Sequence, residues 1–182
     1  NVIIFYKNFI VNLTSFIESI DVVIAYVSNI DVLQNKAYVA HKYNYCRPTI
    51  DCDNSSKSYV NASKLRHPLI EHLQQNEIYV TNDIEIGIND FDGLLLYGTN
   101  AVGKTSFIRA IGIAIIMAQA GLYVPCSSFI YRPYEYIFTR ILGNDNLFKN
   151  LSTFAVEMCE LRTILKNSNE NSLILGDELC SG

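Results

Sequence analysis

The chain has 182 residues, 49% of them apolar and 18% charged, with a formal net charge of −4. This excludes a disordered, collagen-like or cysteine-dense chain and supplies enough apolar residues for one sizeable core. With only 14 Lys and Arg it is also not an autonomous nucleic-acid clamp, which carries a basic face.

Residues 2–43 read as helix, because apolar residues recur every three or four positions from Phe9 through Phe16, Ile20, Ile24 and Val27 to Leu33. About 40 helical residues would span ~60 Å. The pattern fits one long strut or two helices packed as a hairpin, with Thr14-Ser15 and Glu18 inside the first or capping the second helix of the other. Arg47-Pro48 ends the helical pattern, and the polar run 49–57, TIDCDNSSK, marks a boundary between an N-terminal helical region, 1–48, and a second domain, 49–182.

Beyond the boundary short strands are expected at Ser58–Asn61, Ile78–Thr81 and Leu94–Tyr97, the last continuously apolar, as in a strand covered on both faces. A helix is expected from Lys104 to about Ala120, a strand at Tyr136–Thr139, a helix from Phe154 to Lys166 and a buried strand at Ser172–Gly176. Strands alternating with helices imply an α/β fold with a parallel-rich sheet. The uncharged run Ala110–Tyr131 falls short of a membrane span, which needs ~20 predominantly apolar residues, because Gln119, Gly121, Pro125, Ser127 and Ser128 interrupt it. It reads as a buried helix followed by a turn.

Chemistry concentrates at residues 98–105, Gly-Thr-Asn-Ala-Val-Gly-Lys-Thr, which fit G-x-x-x-x-G-K-[ST] between an expected strand and an expected helix. Glycines let such a loop wrap a phosphate, and the helix start offers free N–H groups and the positive end of the helix dipole. Gly98, Thr99, Asn100, Ala101, Val102, Gly103, Lys104, Thr105 and Ser106 are thus candidate ATP-binding residues. Lys104 would reach the β- and γ-phosphates and the Thr105 hydroxyl would bind Mg²⁺. Asn100 either contacts the γ-phosphate or the nucleophilic water, or simply shapes the loop.

The strand 173–176 runs into Asp177 and Glu178. In this class of ATPase the first acid holds Mg²⁺ and the second orients and deprotonates the attacking water, so Glu178, with Lys104 and Asn100, is a candidate catalytic residue and Asp177, with Thr105, a metal ligand. The histidines His41, His67 and His72 have no metal-ligand spacing, and the five cysteines form no CxxC pair, which suits free thiols in a reducing compartment.

Eight segments occur in the order found in the DNA mismatch-repair ATPase family MutS, and residues 31–182 resemble that family. They are IDVL at 30–33, NYCRP at 44–48, RHPLIE at 66–71, GTNAVGKTSFIRA at 98–110, GLYVP at 121–125, IFTRILGNDNL at 137–147, LSTFAVEM at 151–158 and SLILGDELCSG at 172–182. Two departures stand out: GTNAVGKTS replaces the family's usual GPNMGGKST, and LCSG stands where the family usually has IGRG.

The resemblance implies a P-loop ATPase domain preceded by the end of a long lever helix. It implies hydrolysis of ATP with Mg²⁺, coupled to a dimeric clamp on mismatched double-stranded DNA and to a second MutS-type subunit, with the DNA-contacting domains outside this chain. It places Tyr79 where an aromatic ring stacks on adenine, Ser152 in the segment offered to the partner's γ-phosphate, His67 in an architectural turn and Arg140 near the nucleotide. The alternatives are another ABC-like DNA-repair ATPase, or a scaffold that binds ATP and dimerises without turnover. No membrane association is expected.

Residue usage bears on origin. The chain has 23 Ile, 18 Asn and 12 Tyr and no Trp, an excess that folding does not require and that an AT-rich genome would produce. A mitochondrial protein is the expectation, with a large-virus protein in host cytoplasm as the alternative. Because residue 1 is Asn, the natural N-terminus is expected upstream.

Overall fold

A computed structural model describes residues 2–53, 57–73, 78–99, 102–141 and 153–177. It divides into two compact units, Asn1–Lys42 and Tyr43–Gly182. In the first, α1 (Val2–Thr14) leads into α2 (Ile17–Tyr43), which continues into the second unit. The two helix axes differ by 61° across a two-residue break, so neither a single straight strut nor a hairpin forms. The break has a local cause. The hydroxyls of Thr14 and Ser15 donate to the carbonyls of Val11 and Asn12, at 2.6 and 2.7 Å. They thus satisfy the last carbonyls of α1 instead of capping the start of α2. Neither helix buries a residue. No single helix among the described residues is long and apolar enough to cross a membrane.

The second unit is mixed α/β. Its larger sheet has the order β1-β4-β2-β3, from β1 (Thr49–Ile50), β4 (Ser128–Arg132), β2 (Tyr59–Leu65) and β3 (Asn82–Ile86). β2 runs antiparallel to both neighbours, and only β1 and β4 pair in parallel. A second sheet pairs β5 (Tyr136–Arg140) with β6 (Ser172–Gly176) in parallel. The sheets are therefore not the mainly parallel array expected. Short α3 (Pro68–Leu73), central α4 (Lys104–Gln119) and α5 (Thr153–Asn167) complete the unit.

Burial follows the periods of the sequence. Along β2, Val60, Ala62 and Leu65 are buried, and a bulge between Ala62 and Leu65 keeps Leu65 inward. Lys64 sits in that bulge at φ 54°, its N–H accepted by Asp83 Oδ1. From α4, Ile108, Ile111, Ala114, Ile115 and Ala118 join the same core. Burying each isoleucine contributes about 2–3 kcal/mol. Gly112 lets α4 approach β6 closely, because a Cβ there would lie 2.7 Å from Leu175 Cδ1.

Two expected strands are absent. Residues 78–81 are not extended into a ladder; the strand forms at Asn82–Ile86 instead, and Ile78 and Val80 remain exposed. Leu94–Tyr97 pairs with no strand among the described residues, and Leu95 and Tyr97 are 86% and 92% exposed. A continuously apolar strand needs neighbours on both edges and cover on both faces. Here the segment instead borders an open cleft of about 900 Å³ whose far side is β6.

The chain enters this segment through a tight turn at 88–91. Asn89 and Asp90 both have positive φ, 49° and 62°, and Phe91 N–H donates to the Ile88 carbonyl at 2.9 Å, the pattern of a type I′ turn. Gly87, just before it, has φ +86°, and a Cβ would lie 2.5 Å from the Ser58 carbonyl oxygen. Gly87→Ala combines backbone strain with a backbone clash and is expected to cost about 3 kcal/mol or more in urea unfolding. A cost under about 0.5 kcal/mol would contradict this placement of the turn.

Candidate functional site

The first turn of α4 and the end of β6 carry the site. Gly103 stands just before α4 with φ +94°, a left-handed conformation that suits glycine, and as the N-cap residue it offers no side chain to cap the helix start. The first N–H groups of α4 are thus left for a ligand. Lys104 reaches back over the loop, its Nζ donating to the carbonyls of Gly98 and Thr99, both at 2.8 Å. Its ammonium therefore lies at the mouth of the loop, held among the described residues by two neutral acceptors that an anion would outcompete.

Asp177 is fixed from its backbone outward. Its N–H donates to the Arg140 carbonyl at 2.8 Å, extending the β5–β6 ladder by one residue, and the residue is 8% exposed. The Thr105 hydroxyl donates to Asp177 Oδ2 at 2.6 Å, joining residues 72 positions apart. Close packing of α4 on β6, which Gly112 permits, brings them together. Two hard oxygen donors side by side, with a lysine and free helix amides beside them, are the donor chemistry that a Mg²⁺–phosphate group requires.

Lys104 and Asp177 line the open cleft together with Gly98. Val102 and Gly103 are exposed at the loop, and Ser106 is half-buried in the first helical turn. Asn100, Ala101, Ser152 and Glu178 lie outside the described residues.

Tyr79 is half-buried and does not line the cleft. Burial raises its hydroxyl pKa, with a hydrogen bond from the His67 backbone working against it. Arg140 pairs with Glu160 of α5 at 3.0 Å. Sequence reasoning missed Ser58, Tyr134 and Asn169 as cleft-lining residues, because nothing local marks residues drawn from three distant segments.

His67 is 5% exposed, and its Nδ1 accepts the Ile70 N–H at 3.4 Å at the start of α3, an architectural position. His41 is exposed. The His72 ring lies 3.9 Å from that of Tyr43 and its Nε2 is 3.3 Å from the Tyr45 hydroxyl. Desolvation holds the His67 imidazole below the usual histidine pKa, helped by the charge of Arg109. The unfolded chain therefore binds a proton more readily than the native one. The stability contributed by the neutral ring is complete above about pH 6.5 and is lost as pH falls through that value toward the lower native pKa. Urea unfolding should thus show stability declining between pH 7 and 5, and His67→Asn should flatten that decline. Parallel curves for the two proteins would exclude His67 as the cause.

Residues 94–182 match the family model MutS domain V. A mitochondrial DNA mismatch repair protein MutS homologue of Sarcophyton glaucum is 44% identical, over 86% of this chain and 16% of its own length. A DNA mismatch repair protein MutS of Staphylococcus saprophyticus is 42% identical, over 86% of this chain and 17% of its own. A putative DNA mismatch repair protein MutS homologue of Acanthamoeba polyphaga mimivirus is 40% identical, with the same two shares. The chain spans about one sixth of the length of these curated relatives. From the model match and these identities together, the chain is similar to MutS proteins over 86% of its length, and its C-terminal half matches their domain V.

Proposed function

We propose that this chain is the ATP-binding and ATP-hydrolysing part of a DNA mismatch-repair protein. The observation that carries the reading is the Thr105–Asp177 hydrogen bond at 2.6 Å, next to the α4 N-terminus and Lys104. In this reading residues 49–182 form a P-loop ATPase domain and residues 1–48 the end of a lever-helix domain. The amides of the loop and of α4 bind the phosphates of ATP, and Lys104 exchanges its two carbonyl partners for phosphate oxygens. Thr105 and Asp177 hold Mg²⁺, which when bound offsets phosphate charge. Glu178 and Asn100 act on the attacking water, Tyr79 supports adenine and Ser152 serves a partner's nucleotide.

Mismatched double-stranded DNA and a second MutS-type subunit are the partners of the whole protein. The names of the three relatives support mismatch repair, and the Ile, Asn and Tyr excess supports a mitochondrial gene. Mapping the gene to an organellar genome tests the origin; a viral genome would overturn it.

The metal site is tested by titrating Mg²⁺ into the chain with a fluorescent ATP analogue. Thr105→Val keeps the shape and removes the hydroxyl, so the Mg²⁺ needed for half-maximal binding should rise about tenfold or more. An unchanged requirement would remove Thr105 from the metal site.

A further inference from the structure

Two thiols far apart in sequence meet beside the segment that follows α2. Cys46 Sγ and Cys126 Sγ lie 3.3 Å apart across 80 residues. Their backbones are held in place independently. Cys46 and Val124 exchange both N–H···O bonds, each at 2.9 Å, in an isolated antiparallel bridge. A tight turn at Pro125 then closes with Cys126 N–H donating to the Val124 carbonyl at 2.8 Å. The Pro125 carbonyl accepts the Arg66 N–H at 2.9 Å. Arg66 also donates from its guanidinium to the carbonyls of Tyr43 and Asn44 and pairs with Glu71.

We infer that Cys46 and Cys126 are a modification site: a thiol pair that hydrogen peroxide closes to a disulfide and a dithiol reductant reopens. The sulfurs already touch at 3.3 Å, about 1.3 Å short of the ~2 Å of a disulfide, whereas wide separation of the thiols is the usual obstacle to such a bond. The two sulfurs differ in access. Cys126 is 1% exposed, whereas Cys46 is only half-buried and is the one a small oxidant reaches. They also differ in acidity. The hydrogen bond from Cys126 and the nearby Arg66 charge hold the Cys46 thiol below its ordinary pKa despite partial burial, while the same contact and burial push Cys126 up. Cys46 is therefore the attacking thiolate.

The chemistry balances. The Cys46 thiolate attacks one peroxide oxygen, an S–O bond forms as the O–O bond breaks, and the departing hydroxide takes up the proton Cys46 released. Cys126 then loses its proton and its sulfur attacks the sulfur of the Cys46 sulfenic acid. The S–S bond forms, the S–O bond breaks, and that proton leaves with the hydroxide as a second water. Two thiols have lost two electrons, and one peroxide has become two waters. The bond would tie the stretch after α2 covalently to the loop before β4, restricting the unfolded chain and raising the thermal midpoint.

The test uses the 182-residue chain with Cys52→Ser, Cys159→Ser and Cys180→Ser, leaving only the two cysteines in question. Mild peroxide should remove both thiols, lower the monomer mass by two hydrogens and be reversed by dithiothreitol. It should act about tenfold or more faster on the folded chain than in urea. In the same background, Cys126→Ser should leave Cys46 as a sulfenic acid that dimedone traps. Persistence of both thiols, added oxygen without loss of two hydrogens, disulfide-linked dimers, or equal rates in urea would each overturn the proposal.

Discussion

Replacing Lys104 with alanine is expected to weaken ATP binding by about 100-fold or more while leaving the fold intact. Among the described residues the Lys104 Nζ bonds the Gly98 and Thr99 carbonyls of its own loop. Losing those bonds removes nothing that holds β6 against α4. A phosphate would lose far more. Two charge-assisted hydrogen bonds from one ammonium are worth together about 3 kcal/mol, and each 1.4 kcal/mol is tenfold in affinity. Titration with a fluorescent ATP analogue, with circular dichroism to check the fold, reads both effects. Affinity within about threefold of the original would mean that the loop does not bind phosphate through Lys104.

The second large effect is expected from Glu178→Gln in the full-length protein. Asp177 is pinned through its N–H to Arg140 and through its carboxylate to Thr105. In the proposed function these bonds commit Asp177 to the metal side of the site and leave the next acid in the chain for proton transfer. Removing a general base costs about a thousandfold in turnover, while glutamine keeps the shape and much of the hydrogen bonding. ATP binding should thus persist and phosphate release nearly stop. Unchanged turnover would take the base role from Glu178.

Much of this site is legible in the amino-acid sequence. G-x-x-x-x-G-K-[ST] names the loop, the three- and four-residue spacing of Ile108, Ile111 and Ile115 names the buried face of α4, and SLILG at 172–176 names β6 to the residue. These are local patterns whose physics is also local: a glycine turn, a helix period, a short apolar run. The meeting of Thr105 with Asp177 follows from the order of the motifs, because a strand ending in acids and a helix after a phosphate loop are neighbours in this class.

Other features are decided by distant neighbours. Leu94–Tyr97 has the composition of a buried strand, yet among the described residues it pairs with no strand and lies beside the cleft. An apolar run shows that a segment can be buried, not that partners cover it. β4 is hidden within an uncharged run that reads as helix and turn; its alternation, with Phe129 and Tyr131 inward, spans only five residues. The break at 15–16 turns on whether two hydroxyls bond back to α1 or forward to α2, and both are compatible with Thr-Ser. Likewise His72 owes its surroundings to Tyr43 and Tyr45, which no spacing rule links to it.

In the proposed function Lys104, Thr105, Asp177 and Glu178 form a site that hydrolyses ATP with Mg²⁺. Its most direct test is single-turnover release of phosphate from γ-labelled ATP by the full-length protein, with Mg²⁺ and with EDTA. One phosphate released per bound ATP is expected with Mg²⁺, and none with EDTA. Tight Mg²⁺-dependent binding of ATP with no phosphate released would contradict it and establish a nucleotide-gated scaffold instead.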